Sequence, residues 1–153
     1  IIHLSMSSGI SEGSVNSSRL IADDINSEYG DKVHVIDTLT GATGGTLLNE
    51  IANNLVSQGL NSEYIINTLN DIKSRICTSF YVPNPEGFIR SGRNKSELCL
   101  KDKALLIGIK ASLMAGIKFR VDFNQEGNLY TKGIIRKKTS QGMIKIVKDV
   151  VNK

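Results

Sequence analysis

The segment Ser7-Ser8-Gly9-Ile10-Ser11 constrains this chain more than any other, because it joins two different hydrophobic patterns. Before it, Ile1-Ile2-His3-Leu4 reads as an apolar strand. After it, Val15, Ala22, Ile25 and Tyr29 recur at helical spacing. A strand that empties into a Ser/Gly turn and then a helix presents hydroxyls beside the unpaired N–H groups of the helix start. The partial positive charge of that terminus suits an anionic head group. Ser7, Ser8 and Gly9 are therefore the first candidates for a ligand site.

The remaining pattern sets this junction in an α/β frame. Ile1 to Ser5 is expected as a buried strand, with Ser11 or Ser14 capping the first helix and Gly30 ending it. Val33 to Asp37 reads as a second strand, with Asp37-Thr38 at its C-terminal end. Gly41, Gly44 and Gly45 then form a loop that lets a helix approach a strand. Leu48, Ile51, Ala52 and Leu55 mark that helix, which Gly59 closes. Asn61 or Ser62 opens another, with Ile65, Leu69, Ile72 and Ile76 as its buried stripe, and Thr78 to Val82 is strand-like. This β-α-β-α-α-β order predicts an open parallel sheet with helices on its faces. Ligands collect at the C-terminal ends of such strands, where Ser7-Ser8 and Asp37-Thr38 both fall.

The character changes at Pro83 and Pro85. A helical stretch around Leu98 to Ile109 follows, and then Ile117, Phe119, Val121 and Phe123 alternate with Lys118, Arg120 and Asp122. That alternation predicts a half-buried strand with one wet face. Asn124 to Asn128, containing Gly127, has the length of a hairpin loop, and Leu129 to Ile135 is the returning strand. A last helix begins at Thr139 or Ser140, with Met143, Val147 and Val150 on one face. The expectation is two parts: an α/β portion at residues 1–84, and an α+β portion with an antiparallel hairpin at residues 85–153.

Composition narrows the function classes. No apolar run approaches the ~18–20 residues that span a bilayer, and the first residues lack the layout of a signal peptide, so a cytoplasmic location without membrane insertion is expected. Cys77 and Cys99 are expected as reduced, mostly buried thiols. His3 and His34 sit in strand-like runs with no partner set to complete a metal site. A net charge of +4 could favour nucleic acid, through clusters at Arg90 to Lys103 and Lys132 to Lys138. With 5% aromatic residues and no Trp, however, base-stacking platforms are scarce.

Enzyme signatures are missing. Neither Ser7 nor Ser8 has the Gly two positions earlier that a nucleophile elbow needs, and no Gly-Lys-Ser/Thr follows the Gly41 to Gly45 loop. No carboxylate pair or Ser/His/Asp set stands out. Two other classes stay open: a nucleic-acid-binding module using the basic C-terminal portion, and an α/β enzyme acting on a phosphorylated substrate through Ser7 or Ser8.

Ser7-Ser8-Gly9-Ile10-Ser11, followed by Gly13 to Ala22, resembles the SSG[LI]SG[TS]YQSA signature of the DegV family of bacterial fatty-acid-binding proteins. Val35-Ile36-Asp37-Thr38 resembles that family's V-x-DS strand end. Phe88-Ile89-Arg90-Ser91-Gly92-Arg93 resembles its GGRI segment. Ile107 to Lys110, Glu126 to Leu129 and Ile135 to Lys138 resemble its L-x-IKP, DGKL and VR-x-KKA stretches. These matches run in family order across nearly the whole chain. Departures are Glu12, an apparent insertion in the turn, Val15 in place of an aromatic residue, Asn94 in place of Ile and Ala111 in place of Pro. Residues 111–123 also look longer than the common form.

The resemblance implies a lipid carrier, not a catalyst, with no cofactor beyond the bound fatty acid. One long-chain acid would lie in a tunnel between two domains, its carboxylate held by Ser/Thr hydroxyls. Ser7 and Ser8 would supply a hydroxyl and nearby backbone donors, while Arg93, and Arg90 beside it, would balance the charge or face a fatty acid kinase partner. Candidate tail walls are Ile10 and the Leu98 to Leu113 region. The family pattern also implies a strand, a helix and a threonine-bearing loop before Ile1 and further strands after Lys153. A piece so bounded is expected to bind lipid weakly on its own.

Overall fold

A computed structural model describes residues 1–84, 111–136 and 139–151. The chain forms two compact units, one of residues 1–78 and 123–128, the other of residues 79–122 and 129–153.

In the first unit, β1 (Ile2–Ser5) leads into α1 (Ser8–Tyr29), which returns to β2 (His34–Asp37). The two strands pair in parallel, Ile2 opposite His34 and Ser5 opposite Asp37, as a helical crossover requires. The Asn26 side chain holds that crossover, donating to the Val33 carbonyl at 2.8 Å and accepting from the amides of Lys32 and Val33 at 2.9 Å. Helix α2 (Thr43–Ser57) and helix α3 (Ser62–Lys73) follow, and Asn61 caps α3 by accepting from the Tyr64 amide at 2.8 Å. Ile36, Leu48, Ile65 and Leu69 form the buried core, with Leu4, Ile51 and Leu55 packed on it. Each such side chain contributes roughly 1.5–3 kcal/mol by leaving water. The stripes expected on α2 and α3 are the ones that bury.

The second unit holds β3 (Ser79–Val82), β4 (Lys118–Phe123), β5 (Leu129–Ile135) and α4 (Thr139–Val151). The strands lie in the order β3-β4-β5, and β3 runs antiparallel to β4 with Ser79 opposite Asp122. Val82, Ile135 and Ile146 are buried here. Helix α4 comes close to the sheet at Gly142, where an added Cβ would stand 2.6 Å from the Tyr81 ring and 3.1 Å from Ile135.

Five local expectations are corrected. Strand β1 is only half buried, with Ile1 82% exposed, because among the described residues it pairs on one edge alone. Strand β3 belongs to the antiparallel sheet and not to the parallel one. On the polar side of β4, Arg120 and Asp122 are buried, as Phe123 is on the other side. Arg120 and Asp122 point the same way, and the guanidinium clasps the carboxylate through Nε at 2.9 Å and Nη2 at 3.1 Å, so their charges enter the interior as a pair. On α4, Met143 and Val147 are exposed and Ile146 is buried. Cys77 is also exposed, while Cys99 lies outside the described residues.

Candidate functional site

The two loops expected on one rim meet in the first unit. The Ser7 amide donates to the Thr40 carbonyl at 2.9 Å, and the Ser8 amide donates to Asp37 Oδ1 at 3.2 Å. Ser7 is completely buried. Its hydroxyl donates to the Gly127 carbonyl at 2.6 Å and accepts from the Gly9 amide at 3.2 Å, and its carbonyl accepts from Ile10 and Ser11. Ser7, and not Ser11 or Ser14, is thus the N-cap of α1. Ser11 has non-helical angles and marks a kink, beyond which the long helix proper continues.

This geometry divides the two serines. Every polar group of Ser7 has an internal partner. Ser8 is half-buried, and among the described residues its hydroxyl has no hydrogen-bond partner. The amides that a helix start would offer an anion are engaged here by Asp37, the Ser7 hydroxyl and the Ser7 carbonyl. Asp37 supplies an internal negative charge at that end of α1, where the helix dipole favours it.

The loop after β2 is held under strain. Leu39 and Ala42 have φ of 55° and 48°, a region non-glycine residues seldom adopt, at a cost of roughly 1–3 kcal/mol each. Buried hydroxyls fix it: Thr38 donates to the Ser5 carbonyl at 2.8 Å, and the Thr40 and Thr78 hydroxyls meet at 2.9 Å. Leu39 donates its amide to Asp37 Oδ1 at 3.1 Å. Gly44 lets α2 close on this network, since a Cβ there would strike both Thr40 and Thr78. Nothing in the sequence marked Thr40 or Gly127 as partners of the serine loop, or Thr78 as the partner of Thr40, although the Gly-rich run did indicate a close helix approach.

The same 38–42 loop walls a groove of about 440 Å3 along β1, shared with Ile2, Leu4, Met6, Thr46 and Asn49. Arg90 and Arg93 lie outside the described residues, as does most of the Leu98 to Leu113 region. Of the second basic cluster, Lys132 stands 5.7 Å from the Tyr130 ring centroid and borders a groove of the second unit with Lys145, Lys148 and Asp149. Lys137 and Lys138 are outside the description. Among the described residues no His, Cys, Asp and Glu cluster could hold a metal ion, and no helix is long and apolar enough to cross a membrane.

The chain thus holds a parallel α/β unit whose serine loop is locked at a helix start, and an antiparallel unit. The family model described as "Uncharacterised protein, DegV family" matches residues 1–151, and the chain belongs to that family. No curated protein matches the sequence. Among solved structures, the chain is similar to the DegV protein of Ruminococcus gnavus, refined with vaccenic acid, at 22% identity and a TM-score of 0.77, covering 98% of this chain and 49% of that one. It is similar to the Eubacterium eligens DegV protein loaded with heptadecanoic acid (17%, 0.78, 99% and 51%). It is also similar to the Streptococcus pneumoniae Fatty Acid Kinase (Fak) B3 protein loaded with linoleic acid (22%, 0.79, 99% and 50%). The chain spans about half the length of these solved relatives.

Proposed function

We propose that the protein binds a long-chain fatty acid and holds its carboxylate through the Ser8 hydroxyl, as a carrier and not a catalyst. The observation that carries this reading is the asymmetry of the serine pair: Ser7 is locked internally, while Ser8 presents a half-buried hydroxyl without a partner among the described residues. Family membership and three fold relatives solved with fatty acids support the ligand class. A hydrogen bond to a carboxylate is charge-assisted and roughly twice as strong as a neutral one, so one well-placed hydroxyl fixes the head while the acyl chain provides affinity at ~0.8 kcal/mol per buried CH2.

Arg93 and Arg90 complete the proposal as cations near the head group or toward a partner. The fatty acid kinase subunit remains the proposed recipient, supported by the fold likeness to the pneumococcal Fatty Acid Kinase (Fak) B3 protein. The division into a head-group portion at residues 1–84 and a second portion at residues 85–153 belongs to the same proposal, with residues 123–128 returning to the first portion. Native mass spectrometry of the intact protein from lipid-replete cells tests it. A co-purified fatty acid is the expected result, and a clean apo mass counts against the assignment.

A further inference from the structure

We infer that the turn at residues 124–128 is the support that positions the head-group loop, with Ser7 as a positioning residue acting through it. The inference rests on the proposed head-group role of Ser8. The turn is built to be rigid: Asn124 donates its amide to the Asn128 carbonyl at 2.9 Å, and Gly127 donates to the Asn124 carbonyl at 3.0 Å. The Asn124 side chain accepts from the amides of Glu126 and Asn128 at 3.0 and 2.8 Å, closing an Asx-type turn on itself.

The turn and the serine loop fit one another reciprocally. Gly127 has φ of +79°, and a Cβ on it would strike the Ser7 hydroxyl and come within 2.9 Å of Leu39 Cα. A Cβ on Gly9 would strike the Gly127 carbonyl and stand 2.7 Å from Asn128 Oδ1. The two glycines therefore let two backbones approach until the Ser7 hydroxyl reaches the Gly127 carbonyl. This accounts for the order of residues in the first loop. Ser7 anchors, Gly9 clears space for the turn, and Ser8 between them keeps a half-buried hydroxyl with no partner among the described residues. The Glu126-Gly127-Asn128 turn is then as much a part of the head-group machinery as the serines.

The test compares wild type, Ser7→Ala and Ile65→Val in the intact protein, the last a core change made elsewhere in the same unit. Without ligand, amide hydrogen exchange is followed at residues 7–9 and 124–128. Ser7→Ala is expected to speed exchange in both segments, whereas acceleration confined to residues 7–9 overturns the inference. With [1-13C]palmitate bound, Ser7→Ala is expected to shift or broaden the carboxyl resonance and weaken binding about five- to tenfold, the size of one neutral hydrogen bond. Ile65→Val is expected to leave that resonance in place. An unchanged resonance in Ser7→Ala, or an equal change in both variants, overturns the positioning role. If wild type binds no palmitate, the Ser8 assignment fails separately, and the exchange comparison still decides whether turn and loop are coupled.

Discussion

The Ser7 hydroxyl donates to the Gly127 carbonyl at 2.6 Å, joining positions 120 residues apart in the sequence. Because Ser7 is wholly buried, this bond has no water to replace it. Its loss leaves both the Gly127 carbonyl and the Gly9 amide short of a partner. Ser7→Ala is accordingly expected to destabilise the protein by about 1–3 kcal/mol. Ser8→Ala removes a hydroxyl with no bond among the described residues and is expected to stay within about 0.5 kcal/mol of wild type. Urea denaturation of the two variants checks the ordering, and equal losses would contradict the division of roles.

Asp37 Oδ1 accepts from both the Ser8 and Leu39 amides. Asp37→Asn keeps an acceptor there but removes the charge facing the start of α1, at an expected cost of about 0.3–1 kcal/mol. Asp37→Ala strands both donors and should cost about 1–3 kcal/mol. Thermal melts should rank the series wild type, Asn, Ala, and an Asn variant as damaging as Ala would remove the acceptor argument.

Adjacent glycines in α2 should respond with opposite signs. A Cβ on Gly44 meets the Thr40 and Thr78 hydroxyls, so Gly44→Ala is expected to destabilise by roughly 1–3 kcal/mol. Gly45 has nothing within 4 Å of its Cβ position, so Gly45→Ala is expected to stabilise by about 0.5–1 kcal/mol through reduced chain entropy. A melting comparison in which both move the same way would contradict the packing described at Thr40 and Thr78.

In the second unit, Arg120 and Asp122 are buried as a pair, with Ser79 and Asp149 also facing the guanidinium at 3.1 and 3.5 Å. Asp122→Ala leaves a buried cation with weaker company, at an expected cost of about 3–5 kcal/mol. Arg120→Met with Asp122→Ala should lose less than Asp122→Ala alone. A double-mutant cycle on denaturation free energies checks this, and strict additivity would show that the pair is not coupled.

These relationships show how far residue order carries. The stripes of α2 and α3, the parallel β1–β2 pair and the Asn124 to Asn128 turn were legible because each follows from local periodicity or turn chemistry. So was the meeting of Ser7-Ser8 with Asp37-Thr38, a consequence of both lying at the C-terminal ends of parallel strands. The two serines could not be told apart in the sequence, since their difference depends on a carbonyl from the distant 124–128 turn. Hydropathy also misread β4, because alternation cannot register that Arg120 and Asp122, two residues apart on one side, neutralise each other and bury together. Strand β3 offered no cue to its sheet: four residues ending in one buried Val82 suit either partner.

Titration calorimetry of the delipidated intact protein with palmitate, set beside Ser8→Ala, tests whether the Ser8 hydroxyl holds the carboxylate. Wild type is expected to bind saturably and Ser8→Ala at least about tenfold more weakly, the loss of one charge-assisted hydrogen bond, with an unchanged melting midpoint. No binding by wild type, or equal affinity in the two proteins, would contradict it.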